Sequence, residues 1–161
     1  MIRVDDHLYI GDQVECSFLG DPRPFVAVVH AAKWPCHAQA VGYDGKTKIH
    51  PSHPEYLWAE RPGHVFLNII DPKEPLFRVE VFTKALDFLD EWTPKGSVLC
   101  HCNNGLSRAP SIAMLWMAKR AKAFLGSSYP EAKAAFTRIM GGYTPGKGIE
   151  AFLEEKWDKI G

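Results

Sequence analysis

Two short, continuously apolar runs, HVFLNII at 64–70 and SVLCH at 97–101, flank a segment whose apolar residues recur with a helical period. Runs this short, β-branched and without polar alternation fit strands buried on both faces, as in a parallel sheet. Between them Val79, Phe82, Leu86 and Leu89 fall on one stripe, widened by Phe77, Val81, Phe88 and Trp92, which predicts a crossover helix. Strand, crossover and parallel strand wind right-handed almost without exception, so both strands end at the same sheet edge, where α/β proteins bind ligands.

The rest of the chain extends that pattern. Further short strands are predicted at HLYIG, 7–11, and FVAVVHA, 25–31. Pro110 suits the first turn of a helix that Ile112, Leu115, Trp116 and Lys119 continue. A second helix is expected after Pro130, ending at Gly141 and Gly142, and a third over KGIEAFLEEKWDKI, where Ile149, Phe152, Leu153 and Trp157 share a face. The tryptophans of these stripes, Trp92, Trp116 and Trp157, read as core. A chain of 161 residues, 46% of them hydrophobic, fits one domain over 1–161 of α/β class: a central, mostly parallel sheet flanked by helices. The exception is 33–63, which holds prolines, histidines and tryptophans without a clear period and reads as an excursion over the ligand-binding edge.

Charge narrows the function classes. Nineteen Lys and Arg balance nineteen Asp and Glu, so no global field favours nucleic acid or an anionic membrane, and neither is expected as a partner. No run approaches the roughly 18 apolar residues of a membrane span and no basic leader precedes an apolar core, so a cytoplasmic location is the default expectation. Four cysteines, Cys16, Cys36, Cys100 and Cys102, are too few and too uneven for a disulfide scaffold, and reduced thiols are the simpler expectation.

The chemistry concentrates where SVLCH runs into CNNGLSRAP. A loop between a buried strand and a helix start turns several backbone N–H groups toward one point and adds partial positive charge there, an anion cradle built from Asn103, Asn104, Gly105, Leu106, Ser107 and Arg108. Gly105 permits the tight backbone, and Arg108, in the first helical turn, reaches back with a planar fork suited to two phosphate oxygens. Cys102 lies at the bottom of that cup, poised as a thiolate nucleophile. In-line attack on a phosphate ester leaves a cysteinyl phosphate, and the departing oxygen needs a proton. Asp71, following FLNII at the end of the neighbouring strand and turned by Pro72, is the candidate acid, with Glu74 a weaker substitute on the same loop.

These residues resemble the cysteine-dependent protein tyrosine phosphatases, most of all the compact dual-specificity branch. His101, Cys102, Gly105, Ser107 and Arg108 match the signature of His-Cys, five residues and Arg; LNIID at 67–71 looks like the family's strand and general-acid loop, and HLYIGD at 7–12 like its opening strand and turn. The resemblance covers most of the chain outside 33–63. It implies a tyrosine phosphatase-like fold and a two-step hydrolysis without metal or other cofactor. Cys102 attacks, Arg108 and the loop amides hold phosphate, and Asp71 protonates the leaving group, then activates water. His101 is expected to steady the cysteine loop as an internal hydrogen-bond partner. The expected substrate is a phosphorylated protein or peptide, on phosphotyrosine and also on phosphoserine or phosphothreonine, other phosphomonoesters being an alternative.

Two departures stand out. Where the family has a hydroxyl after the arginine this chain has Ala109, so phosphoenzyme hydrolysis is expected to slow unless Ser107 or Ser111 substitutes. Asn104 replaces the usual Ala and either braces the loop or touches substrate. Ala109 also supports a rival class, a module that captures phosphoproteins without turnover; a small-molecule phosphatase on the same scaffold is a third. Cys100 reads as an inert buried thiol, although its two-residue spacing from Cys102 allows a regulatory disulfide as an alternative. Cys36 and His37 with His50 and His53 match no standard metal-ligand spacing, and no metal is expected. Trp34, Tyr43, Tyr56 and Trp58 either wall a substrate pocket or pack the excursion onto the body.

Overall fold

The computed structural model describes residues 1–16, 24–124 and 128–161. Its centre is a six-stranded mixed sheet in the order β1-β2-β6-β3-β5-β4. The strands are β1 (Ile2–Asp5), β2 (Leu8–Gly11), β3 (Ala27–His30), β4 (Trp58–Arg61), β5 (His64–Leu67) and β6 (Val98–His101). The inner four, β2, β6, β3 and β5, run parallel, and β1 and β4 close the edges antiparallel. All residues of β3, β5 and β6 are buried, as their unbroken apolar runs require.

Five helices follow the strands: α1 (Ala38–Val41), α2 (Val79–Trp92), α3 (Arg108–Lys119), α4 (Tyr129–Ile139) and α5 (Lys147–Lys156). The α2 stripe meets the sheet through Val81, Phe82, Ala85, Leu86, Phe88 and Leu89; a buried leucine or phenylalanine contributes about 1.5–3 kcal/mol. Every residue of α3 from Arg108 to Met117 is buried, the composition of a helix enclosed on all sides. Pro110 sits in its first turn, and α4 carries Pro130 in its own.

Alternation along the strands divides the sheet into two unequal faces. Ala27, Val29, Val65, Leu67, Val98 and Cys100 join the main core with the helices α2 to α5. The opposite face carries His30, His64, Phe66 and His101; Phe25, Val28 and Leu99 form one cluster there, and a small apolar cluster of Ala32, Cys36, Ala59 and Phe66 covers its C-terminal part. That cover comes from the 33–63 segment, which contains a π-helical turn at Lys33–His37, α1 and the edge strand β4. The segment is thus partly sheet. The aperiodic reading missed β4 because WAER is four residues long, half exposed and paired on one side only.

One further strand and one strand boundary also differ from expectation. β1 was hidden because three of its four residues are wholly or partly exposed at the sheet edge. β5 ends at Leu67, since the Asn68 amide donates to the Leu57 carbonyl (2.9 Å) and its side chain to the Tyr56 carbonyl (2.7 Å), while the Ile69 amide turns back to Leu67 (2.9 Å). The chain leaves the ladder there and delivers Ile69, Ile70 and Asp71 to the C-terminal edge.

Candidate active site

β6 ends at His101, and Cys102 opens a loop that closes at Ser107, the N-cap of α3. The loop is pressed onto the end of β2. The Cys102 amide donates to the Gly11 carbonyl (3.4 Å), and the Gln13 amide donates to the Asn103 carbonyl (3.2 Å). Gly105 has φ +69°, and a Cβ there would stand 2.9 Å from the Gly11 carbonyl oxygen, so both conformation and space demand glycine. The backbone N–H groups of Asn103 to Ser107 donate to no other described residue, which leaves this run of donors available to an anion.

Cys102 is 1% exposed and Arg108 8% exposed. The Arg108 guanidinium is folded back over the loop: Nη2 donates to Asn103 Oδ1 (2.6 Å) and Nη1 to the Ile69 carbonyl (3.2 Å). Its Nε is buried and makes no hydrogen bond to a described residue. Asn103 is itself anchored, Nδ2 donating to the Trp34 carbonyl (3.0 Å). The Ile69 carbonyl also receives the Lys33 amide (2.8 Å), so one oxygen ties the arginine, the 33–63 segment and the strand leading to Asp71.

Asp71 is exposed, and its carboxylate lies against Gly146, where an added Cβ would come within 2.3 Å of Oδ1. Gly146 in turn donates its amide to Ser107 Oγ (2.9 Å), which places the Asp71 loop beside the closing end of the cysteine loop. The backbone carbonyls of Pro72 and Glu74 crowd Gly148 in the same way, fixing residues 71–75 against the start of α5. Glu74 is exposed on that loop.

Both hydroxyls near Ala109 are engaged: Ser107 Oγ accepts from Gly146, and Ser111 Oγ pairs with Tyr143 Oη (2.9 Å). Burial pushes the Tyr143 phenol up to about 12. Asn104 and Leu106 are exposed on the loop's outer side, and the Leu106 carbonyl accepts the Thr144 amide (2.9 Å). Cys100 is wholly buried, its thiol directed to the Ala109 carbonyl (3.7 Å), and burial raises its pKa well above the ordinary thiol value.

His101 is fully buried, but its Nε2 lies 2.8 Å from His30 Nδ1 on the neighbouring strand, and its Nδ1 has no hydrogen-bond partner among the described residues. The Asn103 clamp on Arg108 lies within the loop but has no sequence signature of its own, and the shared Ile69 carbonyl and the Trp34 anchor depend on long-range packing. Trp34 is 40% exposed and meets Tyr43 edge-on at 5.4 Å, while Tyr56 lines a cleft with Lys33, Ile70, Leu76 and Arg78.

The crystal structure of DUSP15 superposes with a TM-score of 0.64 over 97% of this chain and 86% of its own, at 16% identity. The chain has the dual-specificity phosphatase fold. The human tyrosine phosphatase-like serine/threonine/tyrosine-interacting protein is similar at TM-score 0.63 and 16% identity, over 98% of this chain and 95% of its own. The active form of Tk-PTP aligns at TM-score 0.61 and 20% identity, over 98% and 96%. No family model matches the chain, and no curated protein matches it. The dual-specificity phosphatase fold therefore stands on geometry, and its mixed six-stranded sheet with five helices puts Cys102 at the C-terminal end of a central strand. No helix among the described residues is long and apolar enough to cross a membrane.

Proposed function

We propose that this single-domain protein is a phosphomonoester hydrolase acting through a cysteinyl phosphate on Cys102, with phosphorylated protein or peptide as substrate. The observation that carries the reading is the Arg108 guanidinium, clamped by Asn103 and Ile69 beside the buried Cys102. A buried cation held over a loop of amides without a partner among the described residues is complementary to the equatorial oxygens of a transferring phosphoryl group.

Attack by Cys102 Sγ forms the S–P bond as the P–O bond to the leaving group breaks. Asp71, on the loop packed against Gly146 and Ser107, delivers a proton to the departing oxygen. In the second step Asp71 takes a proton from water as its oxygen attacks phosphorus, returning Cys102 as thiolate and releasing inorganic phosphate. The similarity to tyrosine and dual-specificity phosphatases supports this chemistry by fold. A cleft reaching Ile69 and Ile70 bears Lys33, Tyr56 and Arg78, cationic and aromatic groups suited to the residues around a phosphorylated side chain.

A second reading, capture of phosphoproteins without turnover, is favoured by Ala109 together with the engagement of Ser107 and Ser111. Stopped-flow mixing with excess para-nitrophenyl phosphate, without added metal, separates the two. Sustained phenolate release that disappears in Cys102→Ser supports the hydrolase, and a burst followed by a near-plateau locates a slow second step. No release from either protein, with phosphopeptide still bound, would favour the capture module.

A further inference from the structure

On the thinly covered face of the sheet, four side chains from four separate segments converge: Cys16 after the first 3-10 turn, His30 at the end of β3, Cys36 in the π-helical turn, and His101 at the end of β6. Their donor atoms all lie within 4.8 Å of one another. We propose that Cys16 Sγ, His30 Nδ1, Cys36 Sγ and His101 Nε2 form a tetrahedral Cys2His2 zinc site that fastens the 33–63 segment and the loop after β2 to the strand carrying the nucleophile.

The spacing is that of a ligand set. Zn–S bonds of about 2.3 Å and Zn–N bonds of about 2.0–2.1 Å give tetrahedral edges of roughly 3.8 Å between sulfurs, 3.6 Å between sulfur and nitrogen and 3.4 Å between nitrogens. Four of the six observed separations are 3.8 Å for Cys16 to Cys36, 3.4 Å for Cys16 to His30, 3.9 Å for Cys36 to His101 and 2.8 Å for His30 to His101, and the other two lie within 4.8 Å. The imidazole pair opens slightly on binding, and the sulfurs are already at their edge length.

His64 orients His30. Its Nε2 lies 3.0 Å from His64 Nδ1, so an Nε2–H donated to His64 selects the tautomer whose Nδ1 lone pair faces the cluster. Stacking on Phe66 at 4.1 Å holds that ring in place. The Gln13 side chain lies at 3.6 Å from Cys36 Sγ, and Gln13 is also bonded to Asn103 of the cysteine loop.

Binding releases two thiol protons and leaves Zn²⁺ with two thiolates and two neutral imidazoles, a neutral buried unit. Two thiolates and two imidazoles in a tetrahedron favour zinc over hard, oxygen-seeking cations. The proposal is independent of the catalytic role of Cys102.

The test is metal analysis and native mass spectrometry of full-length protein produced with zinc available, followed by exchange to Co²⁺. About one zinc per chain, retained in Cys100→Ser and lost in Cys36→Ser and Cys16→Ser, is expected, with cobalt showing the intense visible bands and thiolate charge transfer of a tetrahedral S2N2 site. The cobalt spectrum of the unsubstituted protein decides the matter even if a variant fails to fold. Metal-free protein that also takes up no cobalt, a Cys16–Cys36 disulfide in protein isolated under reducing conditions, or an octahedral cobalt spectrum would overturn the proposal.

Discussion

Asn103 Oδ1 accepts a 2.6 Å hydrogen bond from Arg108 Nη2, while the same side chain donates to the Trp34 carbonyl at 3.0 Å. The Arg108 guanidinium is therefore oriented by a residue of its own loop, which is in turn moored to the 33–63 segment. Hydrogen bonds to charged groups contribute about 1.5–3 kcal/mol. Asn103→Ala is expected to lower kcat/KM for para-nitrophenyl phosphate by roughly 10- to 100-fold and to cost about 1.5–3 kcal/mol of stability. Steady-state kinetics beside a melting curve check both halves.

Replacing Arg108 by Lys keeps the charge and removes the fork. Because the guanidinium meets two protein oxygens and still presents Nε, a point charge cannot reproduce its geometry. A loss of about 100- to 1,000-fold in kcat is expected, comparable with removing an oxyanion-stabilising donor elsewhere.

The Asp71→Asn variant tests the proton donor. With an alkyl or phosphopeptide leaving group, kcat is expected to fall about 100- to 10,000-fold, and by less with para-nitrophenolate, which departs readily without a proton. Gly146→Ala, which drives a methyl group toward Asp71 Oδ1, is expected to give a weaker version of the same leaving-group dependence. Equal losses with all leaving groups would assign Asp71 a structural role.

Gly105→Ala combines a left-handed backbone with a Cβ 2.9 Å from the Gly11 oxygen. A loss of about 1–3 kcal/mol in denaturant unfolding is expected, together with loss of activity as the loop is pushed off β2.

Tyr143, buried and bonded to Ser111, has its phenol raised to about 12 chiefly by burial. A raised folded-state value means that the unfolded chain loses this proton first, near pH 10. The corresponding stability is fully present below pH 10 and is lost as pH rises through 12, a change on the order of 2 kcal/mol. Tyr143→Phe is expected to flatten the alkaline limb of a stability–pH curve.

The parts of this molecule legible in its sequence are the local ones. α2 announces itself through the Val79 to Leu89 stripe, and β6, the cysteine loop and α3 follow one another without interruption from Val98 to Lys119. β4 was not legible, because WAER is an edge strand whose pairing with β5 is decided across a turn inside a proline-rich stretch. The contact between Asp71 and Gly146 and the Ile69 carbonyl beneath Arg108 arise from packing between segments some 40 to 75 residues apart. The Cys16, His30, Cys36 and His101 cluster has no ligand spacing to read at all. Its histidines become neighbours only because β3 and β6 pair with His30 opposite His101. Cys36, His37, His50 and His53, which match no ligand spacing in sequence, are not brought together: His50 and His53 are exposed and bonded locally to Ser52 and Glu55, while His37 is buried against Tyr43 and the Glu55 carbonyl.

The most direct measurement of the catalytic account is rapid acid quenching during turnover of a phosphorylated substrate, followed by tandem mass mapping of the peptide that carries Cys100 and Cys102. The account predicts one phosphoryl group on Cys102, accumulating further in Asp71→Asn with an activated aryl phosphate and absent in Cys102→Ser. Turnover that persists in Cys102→Ser, or a phosphoryl group mapped to any other residue, would contradict it.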